Sequence, residues 1–175
     1  MITFNSKVIE ISSRLIIRLP KEISEKLPSR GMVMAEVSTK AFKYQVPLEP
    51  DGQRGHWFEI DHDMNENFKL KPEDITELIL EVINDWQEPE MPLDFMVAIE
   101  KDDLMEKWGM LTPKAKWDWL RFIRSTKVMN TRNKRIEVAC SKLKKNDKRP
   151  CCFNRNICTD MEVCKSGVLD GGDIS

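Results

Sequence analysis

A chain of 175 residues, 41% hydrophobic and 33% charged, lies between one typical domain and two small ones and has enough apolar material for a core. No apolar run approaches the roughly 18 residues that span a bilayer, and the start MITFNSKVIEISSR lacks the basic-then-apolar order of a secretory leader. Five cysteines, an odd number, suit a reducing cytoplasm better than a disulfide framework.

The net charge of −1 is unevenly spread. Residues 1–110 carry 13 Lys/Arg against 22 Asp/Glu, residues 111–149 carry 13 against 3, and residues 150–175 carry 2 against 4. Such asymmetry predicts two modules, or a basic surface facing an anionic partner.

In chain order, the first 85 residues read as short strands: Lys7–Ile11, Arg14–Leu19, Gly31–Val37, Phe42–Leu48, His56–Ile60 and Ile75–Ile83. Each is rich in Val, Ile, Leu or Phe, and the breaks fall at Pro20, Pro28–Gly31 and Glu49–Gly55. In RLIIRLP, Leu15, Ile17 and Leu19 alternate with Arg14 and Arg18, the period of a half-buried strand. PKEISEKL predicts a short helix opened by Pro20. Six short strands in so few residues predict a small barrel.

QEPEMP at 87–92 is a linker, because two prolines in six residues suit neither a central strand nor a helix interior. Helices follow over Leu93–Glu100 and Asp103–Trp108. TPKAKWDWLRFIRSTK starts a third, with Thr112 as N-cap and Pro113 at N1. A last helix runs from about Thr131, its expected cap, to Lys145. GVLDGGDIS reads as a frayed end. The expectation is an α+β protein: barrel over 1–86, linker over 87–92, helical module over 93–150, and a cysteine-bearing tail over 151–175.

A helical wheel for 113–127 puts Ala115, Trp119, Phe122, Ile123 and Thr126 on a buried stripe. Lys114, Trp117, Arg121 and Arg124 fall on the opposite, wet side. The next helix buries Ile136, Ala139, Cys140 and Leu143 and turns Lys134, Arg135, Lys142 and Lys145 outward.

WDWLRFIRSTKVMNTRNKRIEVACSKLKKNDKRPCCFN resembles the signature of the YdeI/OmpD-associated family of bacteriocin-protection proteins. The likeness rests on an aromatic helix, the junction of Thr126–Lys127 with Thr131–Arg132 and Arg135–Ile136, and the KRP ending, over roughly residues 90–155. RLP..I...L at 18–27, GHWF at 55–58 and KPEDI at 71–75 are similar to a small barrel domain of unknown function (family 1905) often fused to that module. The match departs at Glu73, where the usual pattern has Gly. The barrel is similar in architecture to the double-split barrels of AbrB-like proteins, some of which bind DNA. The resemblance implies a two-part α+β protein and brings no catalytic residues.

The chemistry leaves several readings. The tail spacing C-C-x5-C-x5-C lacks the C-x2-C knuckle of a zinc site, and His56 and His62 lie in the barrel half, so no metal site is assigned. Cys151 and Cys152, between Arg149 and Arg155, are candidate redox thiols. Otherwise the cysteines are small apolar groups docking a reduced tail onto the helices, and Cys140 is core. Lys114, Trp117, Arg121, Arg124, Lys134 and Arg135 form a candidate face for phosphate contact and base stacking. Solvation of the cations, or docking on the acidic barrel, also explains that face.

His56 reads as a rim histidine bonded to backbone, or as part of a barrel-mouth pocket with Arg14 or Arg18. No Gly-rich phosphate loop, nucleophile elbow or HExxH is present, and no cofactor is implied. The preferred reading is a cytosolic, non-catalytic binding protein of the bacteriocin-protection type, with an unidentified protein or anionic partner. The alternatives are a nucleic-acid binder acting through the basic face and a thiol or metal sensor built on the tail.

Overall fold

The computed structural model describes residues 1–171. Six strands, β1 (Ile2–Ile11), β2 (Arg14–Arg18), β3 (Val33–Ser38), β4 (Lys43–Pro50), β5 (His56–Ile60) and β6 (Ile75–Val82), close into a barrel in the order β1-β2-β5-β4-β3-β6. All pairings are antiparallel, and β6 returns to β1 with Ile2 opposite Leu80. Closure leaves no unpaired strand edge. Inward positions supply one apolar core: Phe4 and Val8 from β1, Ile17 from β2, Val33, Ala35 and Val37 from β3, Phe58 and Ile60 from β5, and Leu78 and Leu80 from β6.

Local chemistry explains the turns. Ser12 and Ser13 both take positive φ between β1 and β2, the two-residue geometry that matches the right-handed strand twist. Two short helices, α1 (Lys21–Ser24) and α2 (His62–Phe68), join the strands. The α2 helix is absent from the sequence expectation. Its cap is Asp61, whose side chain accepts from the Met64 amide at 2.8 Å, and only Met64 is fully buried.

Glu73, at the position where the resembling barrel pattern carries glycine, has φ of 77°. Its amide donates to the Val8 carbonyl at 2.8 Å, which fixes the turn into β6. Glu73 therefore holds a left-handed conformation that glycine adopts without strain.

The helical unit comprises α3 (Leu93–Lys101), α4 (Met105–Gly109), α5 (Pro113–Arg124) and α6 (Met129–Lys144). Thr112 caps α5 by accepting from the Ala115 amide, with Pro113 at its first position. The α6 helix begins two residues before the expected Thr131 cap. Its N-cap is Val128, whose amide donates to Thr126 Oγ1. The core joins Phe95, Ile99, Leu104, Trp108, Trp119, Leu120, Ile123, Ile136, Ala139, Cys140 and Leu143, with Phe95 and Trp108 edge to face at 5.2 Å.

The chain divides into two compact units. Trp86–Asn154 with Thr159–Met161 makes the helical one, and Met1–Asp85 is joined by Arg155–Cys158 and the described residues from Glu162 onward. The tail therefore returns to the barrel unit, contrary to the expected docking on the helices. It is ordered there by β7 (Cys164–Lys165) and β8 (Val168–Leu169), joined through Ser166 and Gly167, both at positive φ. Leu169 is buried, and its amide donates to the Asp51 carbonyl. The expected frayed end is a hairpin up to that point, and residues 172–175 lie outside the described residues.

Candidate functional site

The expected basic face does not lie open as a unit. Arg121 is fully buried, with its guanidinium 5.7 Å from the Phe153 ring centre. Phe153 also packs edge-on against Phe122 at 5.9 Å. After α6 the chain doubles back over α5: Trp119 Nε1 donates to the Lys148 carbonyl at 3.1 Å, and Arg149 Nε lies 3.6 Å from Asp118 Oδ2. A wheel sees one helix and cannot see this returning segment, so Arg121, placed there on the wet side, is corrected to the interior.

The other five residues have separate settings. Arg124 is half-buried and donates from Nε and Nη2 to Thr159 Oγ1 at 3.1 and 3.0 Å. Arg135 donates to the Phe122 carbonyl and to Ser125 Oγ, with its guanidinium 5.4 Å from the Phe122 ring. Trp117 is half-buried and donates to the Gln87 carbonyl at 3.0 Å. Lys114 is exposed, with its ammonium 5.3 Å from the Trp86 ring. Lys134 is exposed on α6.

Further cations of the unit meet acids of the same unit. Lys116, buried, pairs with Glu88 at 2.8 Å, and Lys144 with Asp102 at 2.8 Å. Arg132 makes a two-pronged contact with Asp94 at 2.6 and 2.9 Å. That contact holds the Asp94 carboxyl below its usual range and raises Arg132, with the hydrogen bond between them as the main cause in both. The unit as a whole carries 15 Lys/Arg against 11 Asp/Glu. The +10 of residues 111–149 thus shrinks to +4 once the rest of the unit is counted, residues 86–110 with seven acids against two bases, and Asp160.

The cysteines fall into three settings. Cys140 is core, and burial pushes its thiol up, with Asp102 adding to the effect. Cys151 and Cys152 are free and exposed in the helical unit. Cys158 and Cys164, in the barrel unit, are disulfide-bonded with Cα atoms 6.0 Å apart. The expected all-reduced tail is thereby corrected. The returning hairpin brings these two cysteines face to face against Ile11, Ile16 and Trp57, a pairing that spacing alone does not disclose. The sequence signal that could have exposed it is Ser166–Gly167, a two-residue turn between the short runs Val163–Cys164–Lys165 and Val168–Leu169.

In the barrel unit, His56 is fully buried and its Nε2–H donates to the Gly31 carbonyl at 3.0 Å. A carbonyl only accepts, so Nδ1 holds the lone pair; it has no hydrogen-bond partner among the described residues. Burial pushes this imidazole below its ordinary value, against opposing contributions from the Gly31 carbonyl and Asp51. Asp51 is buried too, capping the Gln53 and Gly55 amides through Oδ1 and standing 3.4 Å from Arg18 Nε. Arg14 turns instead to Glu59 at 2.5 Å. The cluster stitches the β4–β5 loop to the barrel wall.

No described helix is long and apolar enough to cross a membrane. No curated protein matches the chain. Residues 4–80 match the family described as a domain of unknown function, DUF1905, and residues 88–146 match the family described as Bacteriocin-protection, YdeI or OmpD-Associated. The two matches follow one another along the chain, the DUF1905 match over the closed barrel and the bacteriocin-protection, YdeI/OmpD-associated match over the helices.

Proposed function

We propose that the chain is a non-catalytic, cytoplasmic binding protein that contributes to bacteriocin tolerance. The observation that carries this reading is the use made of the basic face. Of Lys114, Trp117, Arg121, Arg124, Lys134 and Arg135, all but Lys134 are engaged by partners of their own unit. Side chains spent on internal contacts build a rigid module and are not available as a phosphate-tracking stripe. The family match of the same module supports the tolerance role.

Survival of bacterial cells challenged with a bacteriocin, with and without the chain, tests the proposal. Expression of the intact chain is expected to raise survival several-fold, and a Trp119→Ala chain, its helical core broken, is expected not to. Equal survival of all three cultures overturns the tolerance role. A gel-shift series across salt separates the nucleic-acid alternative: a steep fall of affinity with salt, lost in Lys114→Ala/Lys134→Ala, would favour it over the present reading.

A further inference from the structure

The outer wall of the barrel carries an apolar patch where a small barrel normally shows polar side chains. Ile9 and Ile11 of β1, Ile16 of β2 and Trp57 of β5 belong to it, and Ile16 and Trp57 are almost fully buried. Their neighbours Val8, Ile17 and Phe58 already fill the barrel interior, so these residues face the other way. Cys158, Val163, Cys164 and Leu169 cover them.

Non-covalent contacts join this cover to the barrel wall. Leu169 N–H donates to the Asp51 carbonyl at 2.9 Å, Ser12 Oγ–H donates to the Glu162 carbonyl at 2.7 Å, and Arg14 lies 3.5 Å from the exposed Glu162 carboxylate. Gly52 permits one more close approach, since a Cβ there would stand 2.0 Å from the Gly167 carbonyl oxygen. The disulfide lies within the cover itself: it closes a short loop and keeps Cys164 beside the almost fully buried Cys158, so residues 162–170 are held near their covering pose.

We propose that the tail hairpin is a redox-gated cover, closed over the Ile9/Ile11/Ile16/Trp57 wall while Cys158–Cys164 is oxidised and released when it is reduced. A thiolate of a dithiol reductant attacks Cys164 Sγ, the more accessible of the pair, and Cys158 leaves as a thiolate that takes up a proton. The second reductant thiol then displaces Cys164. The protein disulfide gains two electrons and two protons, and the reductant becomes a disulfide. Both cysteines are buried in the closed form, so attack waits for the cover to lift.

The test uses the full chain, purified without reductant, and the same chain after dithiothreitol treatment. Hydrogen exchange followed by mass spectrometry is expected to show residues 162–170 exchanging about tenfold or more faster after reduction, with α5 and α6 unchanged. Cys158→Ser/Cys164→Ser reproduces the reduced pattern and binds an apolar dye that the oxidised chain excludes. The rate of reduction levels off as dithiothreitol rises, because opening becomes limiting. Three outcomes overturn the proposal: five free thiols in the untreated chain, equal protection of 162–170 in both states, or a reduction rate that stays proportional to dithiothreitol throughout.

Discussion

The barrel unit and the helical unit both bury charged groups, but by different routes. In the barrel, alternate residues of each strand point inward, so Val33, Ala35 and Val37 fill the core while Glu36 reaches out to Lys43. Two of its buried polar groups, Asp51 and His56, sit around one loop, where backbone amides and a carbonyl need partners. In the helical unit the charges sit within the helix that supplies the core: α5 buries Lys116, Asp118 and Arg121 beside Trp119, Leu120 and Ile123. A strand has two faces, and in a closed barrel one is always the core. A helix has a full circumference, and how much of it is covered depends on what returns to pack there. Charge therefore reports exposure well in the barrel and poorly in α5.

The sharpest way to break this comparison is to truncate a buried cation. Arg121→Ala removes a long, fully buried side chain and its contact with Phe153, and is expected to cost about 3 kcal/mol in urea unfolding. Lys134→Ala, an exposed cation on α6, is expected to stay within about 0.5 kcal/mol. Equal small costs for the two would return Arg121 to the surface.

The barrel side of the comparison has a pH signature. Burial holds His56 below its ordinary value, so as pH falls below about 6.5 the unfolded chain binds a proton that the folded chain refuses. Stability is expected to fall with pH in that window, by at most about 1.4 kcal/mol per unit from this group. His56→Gln, whose amide can still donate to Gly31, is expected to flatten the slope between pH 5 and 6.5, as read from urea midpoints. An unchanged slope would remove His56 as its source.

Glu73 gives a smaller effect of opposite sign. Its φ of 77° is costly for a side chain and free for glycine, so Glu73→Gly is expected to stabilise the barrel by about 0.5–1 kcal/mol despite losing the exposed Lys7 ion pair. A loss of thermal stability in that variant would show that the turn adapts to the side chain. Smallest is the Asp94–Arg132 pair at the surface of the helical unit, where Asp94→Asn is expected to cost under about 1 kcal/mol. With Asp94 lowered, that contribution is present above about pH 4 and lost as acid protonates the carboxylate, so wild type and variant should converge in strong acid.

Much of the fold was legible because its determinants are local. His56–Ile60 is found at its expected bounds, four other strands shift by one or two residues at their ends, and β1 extends five residues beyond its expected Lys7 start, because period-two apolar runs and turn residues encode face better than length. Thr112 and Pro113 announced the start of α5. The Met129 start of α6 was hidden, since its N-cap, Val128, offers no capping side chain and its amide donates to Thr126, two residues upstream. The α2 helix was hidden because seven residues with a single fully buried side chain carry almost no periodic signal.

The candidate site was legible as residue types and not as an arrangement. Sequence alone determined two modules in order, a barrel interior and a capped amphipathic helix, because these follow from neighbours a few residues apart. Only the tertiary structure decided that Arg121 is interior, that several cations of the helical unit pair with acids of the same unit, and that Cys158 and Cys164 meet over the barrel wall. Each depends on a segment distant in sequence returning to cover a surface, and long-range covering leaves no period in the chain that is covered.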